Sequence, residues 1–296
     1  MPTTIVKKSL LNTEVETNFE SDANIIDIKT IEIVKNELFN IIEEDKKLDK
    51  PVFLFIQDKT IDKLARFLTG TVKRSVAIGI AGETASGKST FTFDIIEAIN
   101  NFQRKYALEP LITRVNTDDY YYDRSDMVKA AGSFANFAKN YDLDVPKAFE
   151  LSLLKQHIEQ LVLGNPVWLP KYDMSGTAIR HDNHTLAIPT RIIITEGLFT
   201  LTNQIKDAFD FCVYVDVSHK AQKERFFKRA QERNLGDATI DVYNNATSKA
   251  EIHIKPSAKN AAMVINGEAS RKDYQNTANK FFEILEYIHF SKAVAK

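Results

Sequence analysis

The sequence predicts an α/β fold: a doubly wound, mainly parallel sheet of five strands flanked by helices. Two observations carry it. From residue 75 onward, short apolar runs alternate with amphipathic stretches of helical spacing, the texture of βαβ units. Between the first such run and the first such helix lies a glycine-bearing turn, Gly82-Glu83-Thr84-Ala85-Ser86-Gly87-Lys88-Ser89-Thr90.

The strands fall at residues 75–81, 111–115, 191–195, 211–217 and 261–265. Helices are expected at 89–102, 146–163, 219–233 and within 269–290. Pro146 sits at the start of the second of these, where a missing N–H costs little. Residues 1–70 differ: they are rich in Lys, Glu, Asp, Asn and Thr and hold no glycine before Gly70. Ile31, Val34, Leu38, Ile41 and Ile42 mark one helix, and Ile61, Leu64, Phe67 and Leu68 a second. Pro51 and an apolar run at 52–56 separate them. The chain thus divides into a small, mainly helical N-terminal extension (1–70) and a main domain (71–296). The extension is expected to serve packing or oligomerisation rather than to hold a second active site.

Composition removes several function classes. Of 296 residues, 39 are basic and 40 acidic, so no chain-wide field attracts nucleic acid or an anionic membrane. The single cysteine, Cys212, excludes a disulfide framework and a Cys-rich zinc site. It lies in an apolar run and reads as a buried strand thiol. No apolar stretch approaches the ~18 residues of a membrane span, and the first residues lack a signal-peptide core. A cytoplasmic protein is expected.

The turn at 82–89 matches G-x-x-x-x-G-K-[ST], a P-loop. Gly82 and Gly87 let the chain turn tightly and aim successive N–H groups at one anion. The helix that follows adds its positive end. Lys88 reaches the β and γ oxygens, and the Ser89 hydroxyl suits Mg²⁺. The pattern implies a nucleoside triphosphate and leaves the reaction open. The second strand ends in Asp118-Asp119-Tyr120-Tyr121-Tyr122. Ligands lie at the carboxyl ends of parallel strands, so a carboxylate there is placed to take a proton from an acceptor hydroxyl. Strand alternation points one of the two aspartates at the site and buries at least one of the tyrosines. The third strand ends in Glu196-Gly197, where an acid can support a metal and glycine permits close approach.

Further elements follow in order: Asn140-Tyr-Asp142, Pro146-Lys-Ala-Phe149, Leu169-Pro-Lys-Tyr172-Asp173 and Ile254-Lys-Pro-Ser257 before an apolar run. With the P-loop and the two acidic strand ends, this set resembles the uridine kinase / phosphoribulokinase family of P-loop kinases, over roughly residues 75–290. The resemblance implies a P-loop kinase domain. It implies transfer of the γ-phosphoryl of ATP or GTP, with Mg²⁺, to a small-molecule hydroxyl, foremost the 5′-hydroxyl of uridine or cytidine. It implies Asp118 as catalytic base, Asp142 on the ribose hydroxyls, and Tyr172, with Tyr120, lining the acceptor pocket. Arg225 and Arg229, with Arg233 next, would clamp the phosphates. Arg225 and Arg229 are four apart on one helix face, and guanidinium forks suit phosphate oxygens; the plain alternative is a solvated basic face. A homo-oligomer is also implied.

Two departures touch the acceptor side. The family's base-reading histidine, five residues after the pocket tyrosine, is here Thr177. Asp142 and Pro146 stand two residues further apart than usual. A sister kinase for pantothenate, glycerate or a sugar phosphate therefore stays open, and Lys171 and Arg180 could serve a phosphate there. From another class, a nucleotide-sensing regulatory protein would keep the loop without the chemistry. His181, His184 and His157 read as surface residues, and Trp168 as packing.

Overall fold

The structure, a computed structural model, describes residues 28–232, 236 and 239–294. In chain order, α1 (Ile28–Asp45), β1 (Phe53–Ile56) and α2 (Asp58–Leu68) come first. Then follow β2 (Val76–Gly82), α3 (Lys88–Lys105), β3 (Ile112–Asn116), α4 (Ser125–Ala131), α5 (Phe134–Asn140) and α6 (Leu151–Val162). The strands β4 (Val167–Tyr172) and β5 (Arg180–Ala187) precede β6 (Ile192–Glu196), β7 (Phe211–Asp216) and α7 (His219–Glu232). The chain closes with α8 (Thr239–Lys249), β8 (Met263–Asn266) and α9 (Arg271–Val294).

The main sheet has the order β1-β8-β7-β2-β6-β3. Five of its strands run parallel, and β1 joins the edge antiparallel to β8. Its inner strands are apolar on both faces because helices cover both. On β6, Ile193 packs with Leu154, Ile158 and Leu161 of α6, while Ile192 and Ile194 pack with Phe91 of α3. Register then fixes the site: Ile80 of β2 and Asn116 of β3 both stand opposite Glu196.

Two features correct the sequence reading. The sheet has six strands rather than five, the sixth being the run at 52–56. β1 is four residues long, with Leu54 and Phe55 exposed and only Phe53 and Ile56 turned partly inward. So short an edge strand shows no alternation from which to read it. Residues 167–187 form a separate antiparallel ribbon, β4–β5, where no strand was expected. Trp168 pairs with Leu186 on its outer face and is 51% exposed, so it is not core packing. Cys212 is half-buried on β7, its thiol directed at the Lys206 carbonyl and pushed up by burial to about 11.

The described part of the N-terminal extension is stitched to the rest. Ile31, Val34, Leu38 and Ile41 of α1 and Ile61 of α2 share an apolar cluster with Ile284 and Ile288 of α9. The buried Asp45 carboxylate accepts the Val52 N–H at 2.9 Å and the Phe53 N–H at 2.8 Å, which ties the end of α1 to the start of β1. Asp45→Ala leaves both amides without that acceptor. It is expected to cost about 1–3 kcal/mol in urea unfolding, with ATP affinity unchanged when measured by calorimetry.

Candidate active site

The phosphate loop is built from close backbone contacts. Gly87 holds φ +100° just before α3, and Ala85 is left-handed at φ +65°. A Cβ on Gly82 would lie 2.6 Å from Ser86 Oγ and 2.7 Å from the Val215 carbonyl. Two residues of α7 grip the loop from outside. The buried Gln222 donates from Nε2 to the Thr84 carbonyl at 3.1 Å, and Arg225 donates from Nη1 to the Ser86 carbonyl at 3.2 Å. Gln222 also accepts from the Tyr243 hydroxyl at 3.1 Å, which links α8 to the loop. Glu83 serves through its backbone: its carbonyl faces Lys88 Nζ at 3.5 Å and accepts the Ser86 N–H at 3.1 Å. Its buried carboxylate points instead toward Lys255, 3.9 Å away, and burial raises its pKa. Thr90 is exposed on the first turn of α3.

Lys88 is half-buried, and desolvation of its ammonium lowers its pKa, opposed by Glu196, Asp118 and Asp144. The charge of Arg229 acts on Lys88 in the same direction as burial. Arg233 lies outside the described residues.

Glu196 is 6% exposed at the end of β6. Ser89 Oγ donates to its Oε2 at 2.9 Å, and Arg114 Nη2 donates to its Oε1 at 2.8 Å. A hydroxyl beside a carboxylate is a hard-oxygen pair that suits Mg²⁺. Among the described residues no group of three or more His, Cys, Asp or Glu could hold a metal ion. Such a set fits an ion completed by phosphate oxygens and water. Thr117 Oγ1 donates to the Glu196 carbonyl at 2.8 Å, and a Cβ on Gly197 would come within 1.8 Å of Thr117 Oγ1. Glycine is required there so that the ends of β3 and β6 can meet.

The two aspartates after β3 diverge through a 3₁₀ turn rather than by strand alternation, since the strand ends at Asn116. Asp118 sits in a short 3₁₀ turn, its amide on the Asn116 side chain. Its carboxyl pKa is raised by burial, with Lys88 opposing and Glu196 adding to the rise. Asp119 turns away to Lys171 Nζ at 3.0 Å and the Tyr172 N–H at 3.3 Å, which anchors the ribbon. Asp142 is engaged by Lys249 of α8 and accepts the Asp144 N–H at 3.2 Å. Asp144, which the sequence reading passed over, faces inward instead. Burial raises its pKa, Asp118 and Asp142 add to the rise, and Lys249 and Lys88 oppose it. The unusual spacing was the available signal: counted from Asp144, the interval to Pro146 is two residues shorter and becomes the ordinary one.

Tyr121 forms the aromatic wall beside these carboxylates. Its ring lies 3.9 Å from that of Phe149 and 5.0 Å from that of Tyr172, and both Asp118 and Asp144 act on its hydroxyl. Tyr120 is not part of this wall. It is fully buried, with its hydroxyl 2.9 Å from Nδ1 of His157, so both belong to the core under α6. His157 is correspondingly half-buried rather than a surface residue, and its pKa is lowered by burial. Thr177 is exposed in the turn of the ribbon, where its hydroxyl donates to Asp173 and accepts the Ile179 N–H at 3.3 Å. That hydroxyl is spent on the turn. His181 and His184 are exposed on β5.

A divided site of this kind, with a phosphate loop and acidic strand ends on one side and an aromatic wall on the other, defines a P-loop phosphotransferase. Residues 77–272 match the model of the Phosphoribulokinase / Uridine kinase family, and the chain belongs to that family. A protein named uridine kinase from Halobacterium salinarum is 30% identical over 195 residues, covering 64% of this chain and 80% of that protein. One of the same name from Lactobacillus helveticus is 32% identical over 180 residues, 60% and 78% of the two chains. A third, from Clostridium tetani, is 32% identical over 197 residues, 65% and 87% of the two chains. The protein is a kinase of this family.

One glycine outside the motif shapes the cradle. A Cβ on Gly267, just after β8, would stand 2.2 Å from the Ser86 carbonyl and 2.7 Å from that of Asp216. Both obstacles are backbone, so the phosphate loop must move. Gly267→Ala is expected to cost about 1–3 kcal/mol of stability and to raise the KM for ATP more than that for the acceptor, as steady-state kinetics would show.

Proposed function

We propose that the protein transfers the γ-phosphoryl group of ATP, or GTP, to the 5′-hydroxyl of uridine or cytidine. The observation that carries this reading is the placement of Asp118. Its carboxyl, in the turn just after β3, interacts electrostatically with Lys88 of the phosphate loop and with the Tyr121 hydroxyl. An acceptor hydroxyl there would meet a base on one side and the phosphoryl group on the other. We assign the ribose diol to Asp144 in place of Asp142, because Asp142 is engaged by Lys249 whereas Asp144 interacts with Asp118 and the Tyr121 hydroxyl.

The relatives named uridine kinase support this acceptor. So does the state of the cations. Lys171 is paired with Asp119, and Arg180 Nη1 donates to Glu150 at 2.8 Å. Neither is idle for the second phosphate of a sugar-phosphate acceptor. An uncharged acceptor asks nothing of them.

In the mechanism, the loop amides and Lys88 would hold the β and γ phosphates. Ser89 and Glu196 would hold Mg²⁺, whose charge would offset that of the phosphate oxygens. Asp118 accepts the acceptor proton as the phosphoryl group moves. Arg225 and Arg229 stabilise the charge on the transferring group. Positioning and electrostatics supply most of the rate.

The test is ATP turnover with Mg²⁺ over uridine, cytidine, adenosine, pantothenate, glycerate, ribose phosphates and a no-acceptor blank. Stimulation by uridine or cytidine is expected. Stimulation by another compound alone moves the specificity, and none at all with ATP bound restores the sensor reading. Two further outcomes follow from Asp118. Because burial raises its pKa, the acid limb of kcat/KM is expected above the ordinary aspartate range, with activity rising with pH through it. The same shift costs stability once the group is ionised. That cost is absent below the unfolded-state pKa and is fully felt above the folded one. Asp118→Asn should therefore abolish turnover, retain ATP binding and raise the thermal midpoint of the ligand-free protein at neutral pH.

A further inference from the structure

On α3, Ser89 and Phe93 are four residues apart and share a face. On the sheet beneath, Arg114 of the edge strand β3 stands opposite Ile194, and Glu196 is two residues further along β6 on the same face. These four side chains close a frame. Ser89 holds one Glu196 oxygen at 2.9 Å, Arg114 holds the other at 2.8 Å, and the Arg114 guanidinium lies 4.6 Å from the centre of the Phe93 ring. Phe93 is 53% exposed, so its ring is not core packing; it offers a seat for the cation.

An arginine on an edge strand is usually a solubility device, and an exposed ion pair is worth little. Here the partner is different. Glu196 is nearly buried, is hydrogen-bonded to the P-loop serine, and acts on Lys88. Were Arg114 removed, one Glu196 oxygen would lose its hydrogen bond and would be left with the Lys88 ammonium as its counter-charge. A lysine captured by Glu196 is lost to the phosphates. We propose that Arg114, seated on Phe93, is a positioning residue that holds Glu196 on Ser89 and off Lys88, so that nucleotide phosphates meet a free lysine. This rests on the kinase reading of the phosphate loop but not on the identity of the acceptor.

The experiment is calorimetry of ATP binding, with and without Mg²⁺, on the full chain and on Arg114→Met, Arg114→Lys and Phe93→Leu. Turnover and acceptor KM are measured on the same preparations. Arg114→Met is expected to weaken ATP binding about tenfold even without Mg²⁺ and to lower kcat, with the acceptor KM held within about twofold. Arg114→Lys should recover most of the loss, and Phe93→Leu should show about a threefold loss in the same direction. The decisive arm is Glu196→Gln. With no carboxylate to capture Lys88, adding Arg114→Met to that variant should cost ATP binding nothing further. The proposal is overturned by unchanged ATP affinity in Arg114→Met, by a loss that persists in the Glu196→Gln background, or by a loss confined to acceptor KM. Should Arg114→Met not fold, Phe93→Leu with and without Glu196→Gln carries the same test. Failure of the wild-type chain to bind ATP would instead sink the kinase reading.

Discussion

One desolvated ammonium organises the site. Lys88 follows the phosphate loop directly, and the carboxylates that act on it, Glu196, Asp118 and Asp144, come from three separate stretches of chain. Burial raises the pKa of Asp118 and Asp144 and lowers that of Lys88. A group of this kind survives only where the fold leaves it no choice. The parallel register supplies that constraint by setting Ile80, Asn116 and Glu196 side by side at the carboxyl ends of three strands.

Neighbouring contacts then keep the carboxylates apart and assign each a task. Thr117 and Gly197 join the ends of β3 and β6 so tightly that no side chain fits at 197. The 3₁₀ turn that follows directs Asp118 inward and Asp119 outward to Lys171 and the Tyr172 amide. Asp119 thereby fixes the ribbon that carries Tyr172. The same short turn thus sets the proposed base and one wall of the proposed acceptor pocket, and the two halves of the proposed site are coupled through adjacent residues. On the opposite flank, α7 and α8 hold the phosphate loop through Gln222 and Tyr243, while Lys249 of α8 reaches Asp142. α8 therefore touches both the nucleotide side and the acceptor side.

How legible the molecule was follows from which physics each part uses. The inner parallel strands were readable because strands buried on both faces must be continuous apolar runs. β1 was not readable, since an edge strand of four residues with two exposed apolar side chains has no pattern of its own. The β4–β5 ribbon was hidden for a related reason: β5 is exposed from His181 to Leu186, so nothing in it looks like a half-buried strand. The Tyr120-Tyr121-Tyr122 run shows the limit inside the site. Alternation predicted that at least one tyrosine would be core, but only the structure shows that two are, Tyr120 held by His157 and Tyr121 packed on Phe149.

The phosphate half and the acceptor half also differ in kind. Phosphate is bound by backbone N–H groups, which demand particular glycines at fixed spacing, so the requirement is written locally in the chain. An acceptor is bound by side chains from separate elements, and which member of a short acidic run faces it depends on packing elsewhere. Asp142 and Asp144 show this directly. Both are aspartates in one loop, two residues apart, and no local rule ranks them. Lys249, more than a hundred residues away, engages Asp142, which is why the proposed ribose-binding carboxylate is Asp144. The assignment of a ribose-binding carboxylate therefore rests on a long-range ion pair, and an acceptor specificity inferred from the loop sequence alone inherits that dependence.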